Sequence, residues 1–330
     1  MTQQKDRLKQ PPFAILRGGY KYKETLGMRR VTTYCMDMVE SKDVLYVLIR
    51  ADGNGGHIRR INWKDEDLDI FGNFNWPVQM IQDSDGVLYV SDEGDNCIHS
   101  LVDDGEKGYV PIGGAGKGDT AKLESSTATN KIGEGELNSP AGIAFDQDEN
   151  ILVVDTGNNR ILKFDKSGKM LGTVISNNDE NSLDMPWGIV VNHKGDILVS
   201  DWRNNRIQIF DKNGNFLESI SKYNDNYLNK PSSVHVDRNG SIFISNWGDD
   251  SVIVYDKNKN FVEKLIGDAT LSKWCQEFLD VNPEQSSWRE NAKLFEEEKR
   301  FWKPTGIETN DEMIFISDSC RHRVQIYKNN

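Results

Sequence analysis

Three stretches of this chain lie over one another almost without gaps: PAGIAFDQDENILVVDTGNNRILKFDKSGKML (Pro140–Leu171), PWGIVVNHKGDILVSDWRNNRIQIFDKNGNFL (Pro186–Leu217) and PSSVHVDRNGSIFISNWGDDSVIVYDKNKNFV (Pro231–Val262). Their openings are 46 and 45 residues apart. That matches one four-stranded propeller blade, which takes roughly 40–45 residues. Each copy holds a short first strand (Gly142–Asp146), an Asp/Asn/Gly turn and an apolar second strand (Ile151–Val154). A TGNN-type loop, an alternating third strand from Ile161, a KSG turn and an outer strand (Met170–Ile175) complete it. A single blade leaves both faces uncovered, so the copies must pack around a ring.

Working outward, a fourth copy opens at Pro77, a fifth at Pro304 and a degenerate sixth near Tyr34, where VLYVLIR (Val44–Arg50) matches VLYVSDE (Val87–Glu93). The chain reads as one all-β domain over residues 1–330, a six-bladed β-propeller with blades starting near 34, 77, 140, 186, 231 and 304. The last copy stops after its third strand, and Phe13-Ala-Ile-Leu-Arg-Gly-Gly-Tyr is the expected strand that completes it and closes the ring. Two long segments interrupt the pattern. Gly113–Ser139 is rich in Gly, Ser and Thr, and Gly267–Lys303 reads as two helices, Leu271–Leu279 and Trp288–Phe301. Both are expected on the face that carries the inter-blade loops, the second as a lid.

The run V-x-D-x-x-N-x-R-I, as in Asp155…Arg160-Ile161 and Asp201…Arg206-Ile207, resembles the NHL repeat. The Gly18-Gly19-Tyr20-Lys21-Tyr22 opening, the LYVLIR strand ending in Arg50 and SDWRNNRIQIF resemble bacterial NHL relatives of the peptidyl-hydroxyglycine amidating lyase domain. That resemblance implies a zinc held by three histidines, each directly after a blade-opening proline, and a catalytic arginine that Arg50 matches. The three positions here are Val78, Trp187 and Thr305. The resemblance therefore implies the fold without the zinc chemistry, and no cofactor is expected.

The 330 residues carry 40 Lys and Arg against 52 Asp and Glu, a formal charge of −12, which argues against a nucleic-acid backbone as partner. No apolar run reaches the ~20 residues that span a bilayer, and the N-terminus shows no secretory pattern, so a cytoplasmic protein away from membranes is expected. The four cysteines (Cys35, Cys97, Cys275, Cys320) form no CxxC pair and are expected to be reduced.

The residue after the repeat's Asp should point to the mouth of the ring: Arg50, Glu93, Thr156, Trp202, Trp247 and Ser319, with Arg203 and Cys320 one position on. The residue after the blade-opening proline should line the channel: Cys35, Val78, Ala141, Trp187, Ser232 and Thr305. Arg50 and Glu93 stand in neighbouring blades and read either as a rim ion pair or as a site. In the second reading Arg50 orients an anionic or carbonyl group through its planar fork and Glu93 is the general base. Trp187, Trp202 and Trp247 read as inter-blade packing or as an aromatic wall for a ligand, with Arg203, Cys35 and Cys320 beside it.

Asp155, Asp201 and Asp318 each precede an arginine by five residues (Arg160, Arg206, Arg323), a brace internal to the blade. Blades two and five have Cys97 and Ser251 in the arginine's place, which leaves Asp92 freer. The five histidines fall at unrelated repeat positions and form no HExxH, so no histidine metal site is expected. The function expected is a metal-independent lyase or hydrolase acting on a small polar or anionic substrate at the central pocket. The alternative is a non-enzymatic propeller that binds a protein or peptide on the same face.

Overall fold

The computed structural model describes residues 19–27, 32–41, 44–50, 55–103, 109–111, 131–177, 181–291 and 295–329. Among the described residues six antiparallel sheets form the blades, and a two-stranded hairpin, Lys222–Tyr223 with Asn226–Tyr227, precedes the fifth. Blades three, four and five have the order read from the repeat. Blade three runs Pro140–Phe145, Ile151–Asp155, Arg160–Phe164 and Met170–Ile175, each strand paired with the next. The second strands Leu88–Asp92, Ile151–Asp155, Ile197–Asp201 and Ile242–Asn246 are buried throughout, because both faces of each sheet are covered by neighbouring blades. The apolar side chains accordingly gather between blades. Leu152, Val154 and Ile161 of blade three meet Ile189, Ile197 and Val199 of blade four, and Ile207 and Ile209 of blade four meet Val234, Ile244 and Ile253 of blade five.

The ring closes with an N-terminal strand, though later in the chain than the sequence suggests. Tyr20–Leu26 pairs antiparallel with Arg323–Asn329 and completes the sheet of Pro304–Thr309 and Met313–Asp318. Of the expected strand Phe13–Tyr20, Tyr20 belongs to this strand, and Phe13–Gly18 lies outside the described residues. The side chains of Tyr20–Leu26 fit the interface they close. Tyr20 and Tyr22 lie edge-on to Phe243 and Tyr327, and Leu26 enters the core between blades six and one.

Adjacent blades are also clasped at their loops. The residue ending the second loop of one blade adopts positive φ (Asn96, Asn159, Asn205, Asp250, His322). Its side chain accepts the N–H of the residue just before the next blade's first strand. The pairs are Asn96–Ser139, Asn159–Met185, Asn205–Lys230, Asp250–Lys303 and His322–Tyr34. Asparagine recurs there because it tolerates the left-handed region and carries an acceptor. Around the axis the first strands approach closely: a Cβ on Gly142 would sit 2.4 Å from the Trp187 carbonyl, and one on Gly306 2.4 Å from Asp37 Oδ1.

Both insertions sit elsewhere than expected. In blade two, Tyr109–Pro111 and Lys131–Ile132 both pair with Cys97–Asp103, so the first insertion interrupts the outer strand rather than following it. Its residues 112–130 lie outside the described set. The second folds as Lys273–Val281, Pro283–Glu290 and Phe295–Lys299. Its anchors are on the side of blade six: Arg321, Arg323 and Gln325 donate to the carbonyls of Glu297, Glu298 and Lys299, and Thr270 meets Tyr22. Lys273 reaches Glu66 in an outer turn of blade one. These helices pad the flank of the ring and do not form the expected lid. Among the described residues no helix is long and apolar enough to cross a membrane.

Candidate functional site

The inner strands leave a narrow axial cavity of about 20 Å³, room for roughly one water. It is lined by Met36, Val78, Trp187, Ser232 and Thr305, the residues following the first position of five blades; the blade three counterpart, Ala141, is buried but not part of the lining. Met36 replaces Cys35 in this set. Cys35 pairs with Ile49 and its Sγ donates to the Arg323 carbonyl at 3.1 Å. It therefore occupies the proline's place, one residue earlier than the degenerate first blade suggested, and is fully buried in the core between blades six and one. Burial pushes its thiol up to about 12, so it offers no thiolate to a ligand.

Trp187 decides the shape of the mouth. It belongs to blade four, yet it packs on the cluster of Met36, Leu48, Phe74 and Met80 from blades one and two. The indole therefore crosses the axis and stoppers the channel. Trp202 follows with ring centroids 6.1 Å apart, and Trp247 another 6.0 Å on, each pair tilted by about 60°. The three tryptophans form a continuous row from the axis to blade five. The Trp202 Nε1–H is buried without a hydrogen-bond partner among the described residues.

Two lysines missed in the sequence complete this side: Lys230 Nζ lies 4.8 Å over the Trp202 ring and Lys303 Nζ 4.6 Å over that of Trp247. Both immediately precede a blade-opening proline and hold positive φ, which aims that position at the mouth. The repeat alignment contained this signal, but it was read only from the proline onward.

Across the ring, Arg50 and Glu93 meet as expected. Arg50 Nη2 lies 3.8 Å from Glu93 Oε2, too long for a hydrogen bond. Arg50 is held from two other sides: its Nε donates to the Pro77 carbonyl at 2.9 Å, and its guanidinium stacks 4.6 Å over Trp76. With Nε committed, Nη2 is buried and lacks a hydrogen-bond partner among the described residues. Burial lowers the guanidinium to about 10, opposed by Glu93 and Asp92. Burial raises the Glu93 carboxyl, with Asp92 adding and Arg50 opposing. Arg203 is exposed and its guanidinium is engaged by Asp184, so it belongs to the outer rim. Cys320 is half-buried, its amide bonded to the Trp302 carbonyl. Among the described residues, the helical segment's contacts with the ring are with Arg321, Arg323, Gln325, Tyr22 and Glu66 rather than with Arg50, Glu93 or the three tryptophans. The mouth thus presents an arginine and a carboxylate from blades one and two, and a lysine-flanked tryptophan row from blades four and five.

The intrablade braces take the expected form. Arg160, Arg206 and Arg323 put Nε 2.7, 2.8 and 2.7 Å from Asp155, Asp201 and Asp318, all three carboxylates fully buried.

Comparison with known proteins agrees with this architecture. The NHL repeat family matches residues 137–164 and 183–210. No curated protein matches the chain by sequence. Among solved structures, the crystal structure of selenomethionine-substituted virginiamycin B lyase from Staphylococcus aureus superposes with a TM-score of 0.57 at 13% identity, covering 94% of this chain and 99% of that one. A streptogramin B lyase structure gives a TM-score of 0.55 at 13% identity, covering 94% and 98%. A Bacteroides thetaiotaomicron protein of unknown function gives 0.60 at 14% identity, covering 93% and 70%. These likenesses establish the propeller fold.

Proposed function

We propose that this six-bladed propeller, built from NHL repeats, acts as a lyase or hydrolase on a small anionic or carbonyl-bearing substrate held at its mouth, without a catalytic metal. The observation that carries the reading is Arg50: its Nη2 is buried, unpartnered among the described residues and 3.8 Å from Glu93. A buried donor left without an acceptor costs about 1–3 kcal/mol, a cost that a substrate oxygen would remove. As a lyase, Glu93 takes the proton from the carbon beside a carbonyl. The C–H electrons move onto the carbonyl oxygen, where Arg50 stabilises the charge. They then return to form a carbon–carbon double bond as the leaving group departs from the next carbon. As a hydrolase, Glu93 takes the proton from water instead. The raised carboxyl of Glu93 suits either role. The tryptophan row gives a substrate's apolar part a surface, and Lys230 adds positive charge, whereas the Lys303 ammonium is paired with Asp250 at 3.0 Å. Two structural relatives are named as lyases, which supports the class.

The test is turnover of a panel of lactones and cyclic depsipeptides followed by mass spectrometry, with Glu93→Gln in parallel. Loss of a general base lowers the rate about 10²–10⁴-fold. Undiminished turnover in that variant would refute the assignment. The alternative, a propeller that docks a peptide with no chemistry, draws on the narrowness of the axial cavity that Trp187 lines, which leaves a partner the outer surface of the mouth. Binding of a peptide library without turnover of any panel member would select it.

A further inference from the structure

Blade two departs from the brace of the other blades in a coordinated way. Blades four and six place an arginine and a glutamine on their third strands, and both donate to the buried aspartate. Arg206 and Gln208 meet Asp201, and Arg323 and Gln325 meet Asp318. The same two positions in blade two are Cys97 and His99. Asp92 is as buried as its counterparts but has no guanidinium beside it. Its carboxylate accepts the amides of Asn75, Trp76, Gly94 and Asp95, which satisfy hydrogen bonds without supplying a cation.

In the place of the arginine the structure gathers a ligand set. Cys97 and His99 are two apart on one strand, so both face the loop that carries Asp95. One ligand atom each from Asp95, Cys97 and His99 lies within 4.8 Å of the other two. His99 Nε2 is 3.6 Å from Cys97 Sγ, 3.4 Å from Asp95 Oδ2 and 3.5 Å from Asp92 Oδ2. Tetrahedral zinc with bonds of about 2.05 Å to nitrogen, 2.1 Å to oxygen and 2.3 Å to sulfur would separate N from S by about 3.6 Å and N from O by about 3.4 Å. The observed spacings match those edges. The imidazole is 2% exposed and Cys97 and Asp92 are fully buried, while Asp95 is partly exposed at the edge of the cluster. Lys131 Nζ lies 3.4 Å from Asp95 Oδ2. Two carboxylates and a thiolate around a divalent ion, with that lysine beside them, sum to neutrality.

We propose that Asp92, Asp95, Cys97 and His99 form a structural zinc site in blade two, the metal taking the place that the brace arginine's guanidinium holds in blades three, four and six. Three ligand atoms are already gathered, and the Asp92 carboxylate, 3.5 Å from His99 Nε2, is the group placed to supply the fourth, so that every ligand would come from the protein, as suits a structural rather than a catalytic ion. The site is separate from the Arg50/Glu93 mouth and does not depend on the reading given to it.

The experiment is elemental analysis of full-length protein purified without chelators, followed by cobalt(II) titration of metal-stripped protein. The expected result is about one zinc per chain, and a cobalt complex with tetrahedral visible bands and a thiolate-to-cobalt charge-transfer band. Cys97→Ser should remove the charge-transfer band. The double variant Cys97→Arg/His99→Gln gives blade two the brace of blades four and six. It should fold by circular dichroism, melt near the zinc-loaded protein and bind no metal. Metal-free wild-type protein without cobalt bands would overturn the proposal, as would full zinc stoichiometry in the folded double variant. A cobalt charge-transfer band unchanged in Cys97→Ser would overturn it too.

Discussion

Leu26→Ala tests ring closure where the structure places it. Leu26 is 2% exposed and sits with Met38, Leu45, Phe315 and Val324, so it joins the closing strand to the interface between blades six and one. Truncating a buried leucine costs about 2–5 kcal/mol, the spread reflecting how far the cavity collapses. Unfolding entropy is about 2.1 cal/mol/K per residue, hence about 0.7 kcal/mol/K for 330 residues. The melting temperature should therefore fall by about 3–7 °C. Leu217→Ala is the matched control. It makes the same chemical change on the outer strand of blade four, where the side chain is 50% exposed, and should cost under about 0.5 kcal/mol, or less than about 1 °C. Deleting residues through Leu26 also removes Tyr20, Tyr22 and the pairing with Arg323–Asn329. With each buried large side chain worth about 1.5–3 kcal/mol and whole proteins stable by about 5–15 kcal/mol, the truncated chain should fail to close. The assay is calorimetric or circular-dichroism melting. A Leu26→Ala protein melting with the Leu217→Ala control would show that this strand does not hold the ring.

Three further outcomes follow from particular contacts. Arg206→Ala strands the fully buried Asp201 carboxylate, and should cost about 3–5 kcal/mol by denaturant titration, with Arg206→Lys in between. Burial raises the Asp37 carboxyl to about 7, although it accepts the Met80 amide. The unfolded chain then holds fewer protons at that site, so this contribution to stability is full below about pH 4 and is lost as pH rises through about 7. Asp37→Asn should flatten that part of the melting-temperature profile, and an unchanged profile would refute the assignment. Trp187→Ala should cost about 2–3 kcal/mol, discounted from a fully buried tryptophan, and leave the axial cavity open to the mouth in a crystal structure of the variant.

Blade count, strand order and the Asp–Arg brace were legible in the sequence because each rests on residues near one another in the chain: a hairpin turn, a two-residue alternation, a spacing of five. Arg50 and Glu93 were brought together by the same arithmetic, since equivalent positions in neighbouring blades must be near in any closed ring. The first blade's weak match cost one residue of register, which is why Cys35 was read into the channel where Met36 stands. In a strand such a slip moves a side chain to the opposite face. The closing strand was placed too early for a related reason: alternation alone does not show which tyrosines fit Phe243 and Tyr327.

Tertiary structure alone decided the rest. Helical periodicity in Gly267–Lys303 called for a helix but carried no address, and the docking site is set by Arg321, Arg323 and Gln325 offering donors to the carbonyls of residues 297–299. That Trp187 crosses the axis depends on the space left by Met36 and Met80 in blades it does not belong to. The Asp92, Asp95, Cys97 and His99 cluster combines a second strand, a loop and a third strand. Its members match no linear motif, and only the fold of blade two brings the ligand atoms of Asp95, Cys97 and His99 within 4.8 Å of one another, with Asp92 3.5 Å from His99. Repeat sequence specifies the blade because blade contacts are local and recur. The chemistry lies where blades differ, and those differences become geometry only once the ring has closed.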